Sequence, residues 1–194
     1  MLEKLIETRG RHSGHIQVVS SGPNYQFRTI RDNALKLIME AQKYIYIQTP
    51  YFVPDDSILE ALKIASLSGV KIKIMIPDKP DHFFIYWINQ YFVGELLDLG
   101  VEVYKYNKGF IHSKLIVVDD EVISTGTANF DYRSFYQNFE INVNIYEKDV
   151  AQSFRKIFFN DIKHSTRLLR SEYSKRSYYI KFKESVCRLL APIM

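Results

Sequence analysis

A histidine and a lysine two residues apart, His112 and Lys114, carry the clearest chemical signal in the sequence. They lie in an apolar run, FIHSKLIVVD, that is typical of a buried strand. Side chains two positions apart in a strand point to the same face, so we expect the imidazole and the ammonium side by side. A buried ammonium is costly unless an anion meets it, and a phosphate would serve. The pair therefore predicts chemistry on a phosphate group.

The turn GTAN at 126–129 and a later glutamate add groups that suit this chemistry. The turn offers the Thr127 hydroxyl, backbone N–H groups near Gly126 and the Asn129 amide, all suited to phosphate oxygens. Glu140 is predicted on the following strand, where its carboxylate can accept the Nδ1 proton of His112. Because Nε2 would then be free to attack phosphorus, the arrangement follows the orienting principle of a catalytic triad.

Helices and strands alternate along the first half of the chain and must position these groups. Apolar residues recur at helical spacing in 30–41, 58–65 and 85–99, and β-rich segments separate them. From Phe110 onward the pattern predicts closely spaced strands, with no helix before 150–162. We therefore predict an α/β fold with a mixed β-sheet flanked by helices on both faces.

Three parts of different composition are predicted along the chain. Residues 1–15 are polar and basic and are expected to form a flexible lead-in, while residues 16–166 form the catalytic domain. Residues 167–194 form a basic amphipathic tail, in which Lys181 and Lys183 lie off the apolar helical face. The tail fits a helix lying on anionic lipid, and it also fits a helix docked on its own domain or on a partner.

The composition limits the class of protein. A chain of 194 residues, 46% of them hydrophobic, can bury the core of one domain. The net charge of +4 favours an anionic partner such as phospholipid or nucleic acid. Cys187 is the one cysteine, which excludes an internal disulfide framework and a cysteine-built zinc site. No run of about 18 apolar residues occurs, so we expect any membrane contact to be peripheral or to come from a missing part.

The candidate catalytic residues together form a sequence signature. His112, Lys114 and Asp119 form the pattern H-x-K-x-x-x-x-D, which with G-T-x-N at 126–129 resembles the signature of the phospholipase D superfamily. Asp119 lies on the opposite strand parity from His112, so we expect it to have a structural role within the signature.

The resemblance extends beyond this signature. Residues 44–82 and 133–142 are similar to the C-terminal half of bacterial cardiolipin synthases, and the likeness covers nearly everything from Ile16 onward. It implies a phospholipase D-like domain that uses no metal and no other cofactor, because cationic side chains neutralise the phosphoryl oxygens.

The resemblance also implies a role for each matching position. His112 would be one of a histidine pair, in which one member attacks phosphorus and the other protonates the leaving alkoxide. Lys114 and Asn129 would bind phosphate oxygens, Thr127 would support their turn, and Glu140 would orient His112.

Two further positions are candidates to line the substrate cleft. Tyr51, together with Phe52, resembles a family strand end near the cleft, although packing alone is the alternative for both. His82, in the loop PDKPDH, lies at the expected substrate entrance or is a solvated turn residue.

Members with this signature need two such motifs facing one site, and this chain has one. None of the other histidines is followed by lysine two residues later; these are His12, His15, His82 and His164. Either two copies of the chain pair to build the site, or an N-terminal half with its membrane helices is missing.

The resemblance implies a function and a set of partners. The expected reaction is phosphatidyl transfer between two phosphatidylglycerol molecules, which gives cardiolipin and glycerol through a phosphohistidine. The expected partners are phosphatidylglycerol, the anionic surface of a bacterial cell membrane, and the missing half or a second copy; nucleic acid is not expected. The alternatives are a dimeric phosphodiesterase or nuclease, and an inactive fragment that only binds a membrane or a partner.

Overall fold

The computed structural model describes residues 14–79, 81, 83–189 and 191. The predicted lead-in at 1–15 therefore lies almost wholly outside the described residues, and so does His82. No helix in the described ranges is both long enough and apolar enough to cross a membrane.

The described chain forms one eight-stranded sheet with helices packed against it. The strands are β1 (His15–Ser21), β2 (Tyr44–Gln48), β3 (Lys71–Pro77), β4 (Glu102–Tyr106), β5 (Leu115–Val118), β6 (Val122–Gly126), β7 (Glu140–Tyr146) and β8 (Ser165–Leu168). The helices are α1 (Thr29–Glu40), α2 (Asp56–Leu67), α3 (Phe83–Leu97), α4 (Tyr132–Tyr136), α5 (Lys148–Ile162), α6 (Arg170–Ser174) and α7 (Tyr178–Arg188).

The sheet is mixed, as predicted. Its strand order is β1-β7-β6-β5-β2-β3-β4-β8. Strands β2, β3 and β4 run parallel to one another, because helices α2 and α3 provide the crossovers between them. The remaining neighbours are antiparallel, and a tight turn joins β5 directly to β6.

Two hydrophobic cores lie on opposite faces of this sheet. In β2, Ile45 and Ile47 point into the larger core, which α1, α2 and α3 cover, whereas Tyr44 and Tyr46 point into a smaller core beneath α5. This alternation follows from the two-residue period of a strand, and it is why β2 is apolar on both faces. The prediction of helices on both faces is confirmed.

The strand that carries the histidine and lysine is shorter than predicted. Strand β5 begins at Leu115, which pairs with Gln48, the last residue of β2. Pro50 follows two residues later and has no N–H for a ladder, so β2 does not continue alongside His112. His112 is consequently exposed and Lys114 is half-buried, rather than both being buried in a strand.

The C-terminal segment is more closely joined to the domain than its composition indicated. The boundary predicted after Thr166 falls inside β8, which pairs with β4 at the edge of the sheet. Helix α7 packs against α3, and it buries Cys187 in the larger core. Its Glu184 side chain is 3% exposed and forms an ion pair with Arg176.

Asp55 connects three helices near the start of α2. Its carboxylate accepts hydrogen bonds from Arg31 Nε of α1 at 2.8 Å, from the Tyr136 hydroxyl of α4 at 2.8 Å and from the Ile58 N–H of α2 at 2.9 Å. Burial alone would raise the pKa of Asp55, but these donors hold it below its ordinary value of 3.8. Asp55 is therefore charged in the folded chain and caps α2.

We expect Asp55→Ala to lower the free energy of unfolding by about 2 to 4 kcal/mol, because it removes two hydrogen bonds from a largely buried guanidinium, which keeps its ion pair with Asp32, and it also removes a helix cap. Since the folded pKa lies below the unfolded one, the contribution of Asp55 is complete above about pH 4 and fades as the pH falls through the folded pKa. Urea unfolding at several pH values measures this loss. Asp56→Ala, at the exposed neighbouring position, is the matched control and should change stability far less.

Candidate active site

The residues selected from the sequence meet at one edge of the sheet. Leu115 at the start of β5 pairs with Thr125, and Gly126 at the end of β6 pairs with Asn142 near the start of β7. The segments that immediately precede β5, follow β6 and open β7 therefore lie next to one another. His112 and Lys114, the turn at 126–129, and Glu140 occupy these three segments.

The side chains of His112 and Lys114 converge. Lys114 Nζ lies 3.0 Å from His112 Nε2 and also donates to the His112 carbonyl oxygen at 2.9 Å. An imidazole protonated at Nδ1 can accept the ammonium hydrogen at Nε2, the nitrogen that would attack phosphorus. The Phe110 ring lies 5.9 Å from the His112 ring, centroid to centroid, and forms one side of this surface.

Glu140 does not contact His112, contrary to the prediction. Within the described ranges its carboxylate accepts hydrogen bonds from the Thr127 hydroxyl and from Asn138 Nδ2, the latter at 3.2 Å. The reason is the strand order: β6 lies between β5 and β7, so the backbones of these two strands are roughly 10 Å apart. Thr127, which continues β6, donates the hydrogen bond that holds the Glu140 carboxylate.

Three backbone N–H groups of the turn at 126–129 donate hydrogen bonds to other parts of the chain. The N–H groups of Thr127, Ala128 and Asn129 donate to the Ile141 carbonyl, Asn142 Oδ1 and Ser134 Oγ respectively. The predicted use of these N–H groups for phosphate is therefore not what the structure shows. A Cβ on Gly126 would lie 2.2 Å from the Ile141 oxygen, so the glycine permits this close approach.

The Thr127 hydroxyl also makes its hydrogen bonds within the chain. It donates to Glu140 and accepts the Ile141 N–H at 3.0 Å. Its role in this structure is to join the turn to the start of β7, which agrees with supporting the turn and differs from direct phosphate contact.

The two polar atoms of the Asn129 amide differ in their hydrogen bonding. Its Nδ2 donates to Asp131 Oδ2 at 3.1 Å, whereas its Oδ1 is buried with no hydrogen-bond partner among the described residues. Asp131 caps α4 through the Ser134 N–H at 2.7 Å. An aspartate three residues before a serine is a recognisable helix-start signal, yet the sequence reasoning predicted no helix here.

The positive charge of Lys114 lies near the carboxyl groups of Glu140 and Asp131. Burial lowers the pKa of Lys114, and the negative charges of Glu140 and Asp131 partly raise it again. Burial raises the pKa of Asp131, and hydrogen bonds from Ser134 and Asn129 oppose that change. Lys114 thus stands as one ammonium between two carboxyl groups. Across the described ranges, no group of three histidine, cysteine or acidic side chains is placed to hold a metal ion.

Asp119 lies at the opposite end of β5 from His112 and is outside the site. Its carboxylate accepts the N–H groups of Gln42, Lys43 and Tyr44 at 2.7, 2.9 and 2.7 Å. Its backbone has φ of 56°, in the left-handed region. Asp119 therefore ties the β5–β6 turn to the start of β2, and this contact is structural.

Tyr51 lines a cleft of about 420 Å³ that also contains Asn129. Its hydroxyl donates to Asp81, and burial followed by that carboxylate raises its pKa. Phe52 points the other way: it is fully buried and packs against Phe130 with ring centroids 6.1 Å apart. The sequence reasoning missed two residues of this cleft, Arg133 and Asn138. Both lie in a segment that resembles the relatives, but neither belongs to a motif whose spacing would have indicated a function.

Removing the charge of Glu140 should make Lys114 less basic. We expect Glu140→Gln to lower the pKa of Lys114 further, because the carboxylate raises that pKa while burial lowers it. The measurement is the pH dependence of Lys114 acetylation by acetic anhydride, read by mass spectrometry. Glu121→Gln, in the turn at the other end of β5, is the control; an equal shift in both variants, or none in either, would contradict the geometry.

Comparison with known proteins agrees with this arrangement. The family model described as "Cardiolipin synthase, PLD-like domain" matches residues 34–162. Cardiolipin synthase of Listeria monocytogenes is 50% identical over 185 residues, which is 95% of this chain and 38% of that protein. Cardiolipin synthase of Staphylococcus aureus is 48% identical over 179 residues, 92% of this chain and 36% of that protein.

Solved structures share the fold at low identity. Phosphatidylserine synthase of Haemophilus influenzae superposes with a TM-score of 0.71 at 15% identity, over 93% of this chain and 46% of that one. Nuc of Salmonella typhimurium, a phospholipase D family member, gives 0.69 at 22% identity, over 80% of this chain and 99% of that one.

The chain spans somewhat more than a third of the length of the curated relatives it matches. The match of the family model covers well over half of the chain and includes His112, Lys114, Thr127, Asn129 and Glu140. The sequence resemblance is therefore confirmed: this chain belongs to the family of PLD-like domains of cardiolipin synthases.

Proposed function

We propose that this chain supplies one histidine–lysine pair for phosphatidyl transfer between two phosphatidylglycerol molecules, which yields cardiolipin and glycerol. The observation that carries the proposal is the 3.0 Å approach of Lys114 Nζ to His112 Nε2 at the edge of the sheet. A cation beside the nitrogen that attacks can hold a phosphodiester oxygen while phosphorus approaches the ring. The 50% identity to a cardiolipin synthase supports this choice of lipid.

The reaction divides into two transfers. In the first, Nε2 of one histidine bonds to the phosphorus of a phosphatidylglycerol, the bond from phosphorus to the glycerol oxygen breaks, and a second histidine gives its proton to that oxygen. In the second, a headgroup hydroxyl of another phosphatidylglycerol attacks the phosphohistidine and returns its proton to the second histidine. Lys114 stabilises the charge that develops on the phosphoryl oxygens in both steps.

A second histidine–lysine pair must come from outside this chain. Lys114 faces Glu140 and Asp131, so a phosphodiester bound here would add negative charge to a site with too few cations. Apolar side chains also remain exposed beside the site, as Phe139 at 69% and Phe110 at 40% show. Because the relatives are more than twice as long, the partner we propose is another part of a longer protein, and a second copy of this chain is the alternative.

Helix α7 fits an anionic membrane surface. The side chains of Tyr178, Phe182 and Leu189 are 90%, 67% and 77% exposed and recur at helical spacing. Lys181 and Lys183 flank them, with Lys183 Nζ 4.4 Å from the centre of the Tyr179 ring. Exposed rings with neighbouring ammonium groups suit the headgroup region of an anionic leaflet. We propose that the chain lies peripherally on a bacterial cell membrane through this face.

The function is tested with His112→Ala in the full-length protein, using labelled phosphatidylglycerol and chromatography of the lipids. We expect cardiolipin formation to fall by roughly 1,000-fold or more, because no other group replaces the imidazole. His15→Ala is the matched control, since His15 is exposed at the end of β1 that pairs with Tyr146, away from Glu140.

Two results would contradict the proposal. If the His112→Ala protein kept its cardiolipin formation, the pair would have no part in the reaction. If the unmodified protein released no glycerol from phosphatidylglycerol but cleaved DNA in a His112-dependent way, the phosphodiesterase alternative would replace it.

The membrane face is tested by combining Phe182→Ser with Leu189→Ser. We expect binding to vesicles of phosphatidylglycerol and phosphatidylcholine to weaken at least about tenfold, since each apolar side chain contributes roughly 1.5 to 3 kcal/mol when buried. Co-sedimentation measures the change. Met39→Ser with Leu67→Ser removes comparably exposed side chains from α1 and α2 and serves as the control; the same loss there would contradict the assignment to α7.

A further inference from the structure

The cleft beside Asn129 is a second place where a headgroup can bind. It measures about 420 Å³ and has one apolar wall and one polar wall. The apolar wall consists of Val53, Phe84 and Ile85, and the polar wall consists of Tyr51, Asn129, Asp131, Arg133 and Asn138. His112 and Lys114 do not line it, so the cleft adjoins the histidine–lysine pair through Asn129 without being the same site.

Arg133 brings an unused cation to this cleft. Its guanidinium makes no hydrogen bond or ion pair with any residue that the structure describes, and the side chain is exposed. The nearby carboxylate of Asp131 forms no ion pair with it, since the two oxygens accept from the Ser134 N–H and Asn129 Nδ2. A guanidinium of this kind suits a phosphate, which it can bind through two parallel hydrogen bonds.

Asn129 also lines this cleft, and it connects the cleft to the turn that follows β6. Its Oδ1 is buried with no partner within the described part of the chain, and its Nδ2 is held by Asp131, so both ends of the amide are closed to a ligand. Arg133 is therefore the group that can bind a ligand phosphate directly.

We propose that this cleft holds the headgroup of the acceptor lipid, with Arg133 on its phosphate and the glycerol on the side where Asn129 lines the cleft. The proposal rests on the proposed function, since phosphatidyl transfer needs two phosphodiesters close together at once. Lys114 binds the phosphate group that is transferred from the donor lipid, and Arg133 binds the phosphate group of the acceptor lipid, which is not transferred. The carbons of the acceptor glycerol contact the wall formed by Val53, Phe84 and Ile85.

This placement completes the second transfer. The acceptor hydroxyl oxygen forms the new bond to phosphorus, the bond from phosphorus to the histidine nitrogen breaks, and the hydroxyl proton passes to the second histidine. Asn129 belongs to the turn after β6, and β6 pairs with β5, which directly follows Lys114, so we place the acceptor glycerol on this side of the cleft. Water and free glycerol can also attack the phosphohistidine, but neither carries a phosphate for Arg133.

The test compares acceptors in the full-length protein. With labelled phosphatidylglycerol as donor, Arg133→Gln should reduce cardiolipin formation about 10- to 100-fold, because a charge-assisted contact to the acceptor is lost. Release of phosphatidic acid with water as acceptor, and exchange of labelled glycerol into phosphatidylglycerol, should stay within about twofold. The ratio of phosphatidic acid to cardiolipin should therefore rise, and Arg133→Lys should recover part of the transfer.

Lys36→Gln is the control because it removes one exposed cation from α1, near the Asp119 end of the sheet. An equal fall of transfer, hydrolysis and exchange in Arg133→Gln would overturn the proposal, since Arg133 would then act on the donor or on folding. An unchanged product ratio, with inorganic phosphate protecting Arg133 from phenylglyoxal, would also overturn it by making the cleft a site for free phosphate. If the unmodified protein forms no cardiolipin, the proposed function itself fails.

Discussion

The contact between the Lys114 ammonium and the His112 imidazole depends on where β5 stops pairing with β2. Because β2 ends at Gln48 and Pro50 follows, the chain before Leu115 leaves the ladder and exposes His112 at the sheet edge. The lysine is still half-buried, which lowers its pKa, and its ammonium lies 3.0 Å from the histidine nitrogen. A strand that continued through His112 would have enclosed both groups away from any lipid.

The turn after β6 acts as a support for this edge. Its N–H groups and the Thr127 hydroxyl bond to the start of β7 and to α4, so they fix the turn and leave little for a ligand. The Oδ1 atom of Asn129 is buried and has no hydrogen-bond partner among the described residues. The side chains that we propose for substrate contact are therefore few: Lys114 and His112, with Arg133 in the cleft that Asn129 also lines.

The charges near Lys114 support the proposal that a counterpart completes this site. Lys114 already faces two carboxyl groups, and a bound phosphodiester would add a third negative charge. Helix α7 meets a different requirement, since one of its faces packs against α3 and buries Glu184, which pairs with Arg176, while the other exposes rings and ammonium groups. Holding the helix rigidly on the domain would keep the cleft at a set distance from a lipid surface.

Much of the fold was predictable because it depends on local patterns. The β-rich composition of the segment that forms β2 predicted a strand, and helical spacing predicted α1, α2 and α3. The short helix α4 was missed because its five residues, Tyr132–Tyr136, are too few for a periodic signal and depend on the cap at Asp131. Strand β8 was missed because only its pairing with β4 makes it a strand.

The sequence by itself determined which groups are available: an imidazole and an ammonium two residues apart, a G-T-x-N turn, and a glutamate on a later strand. Only the tertiary structure decided which of them touch. Because β6 lies between β5 and β7, Glu140 accepts a hydrogen bond from Thr127 and does not contact His112. Residues of α3 and α4 together line the cleft that contains Arg133. Such contacts join residues far apart in the chain, and strand order and packing determine them, whereas spacing along the sequence does not.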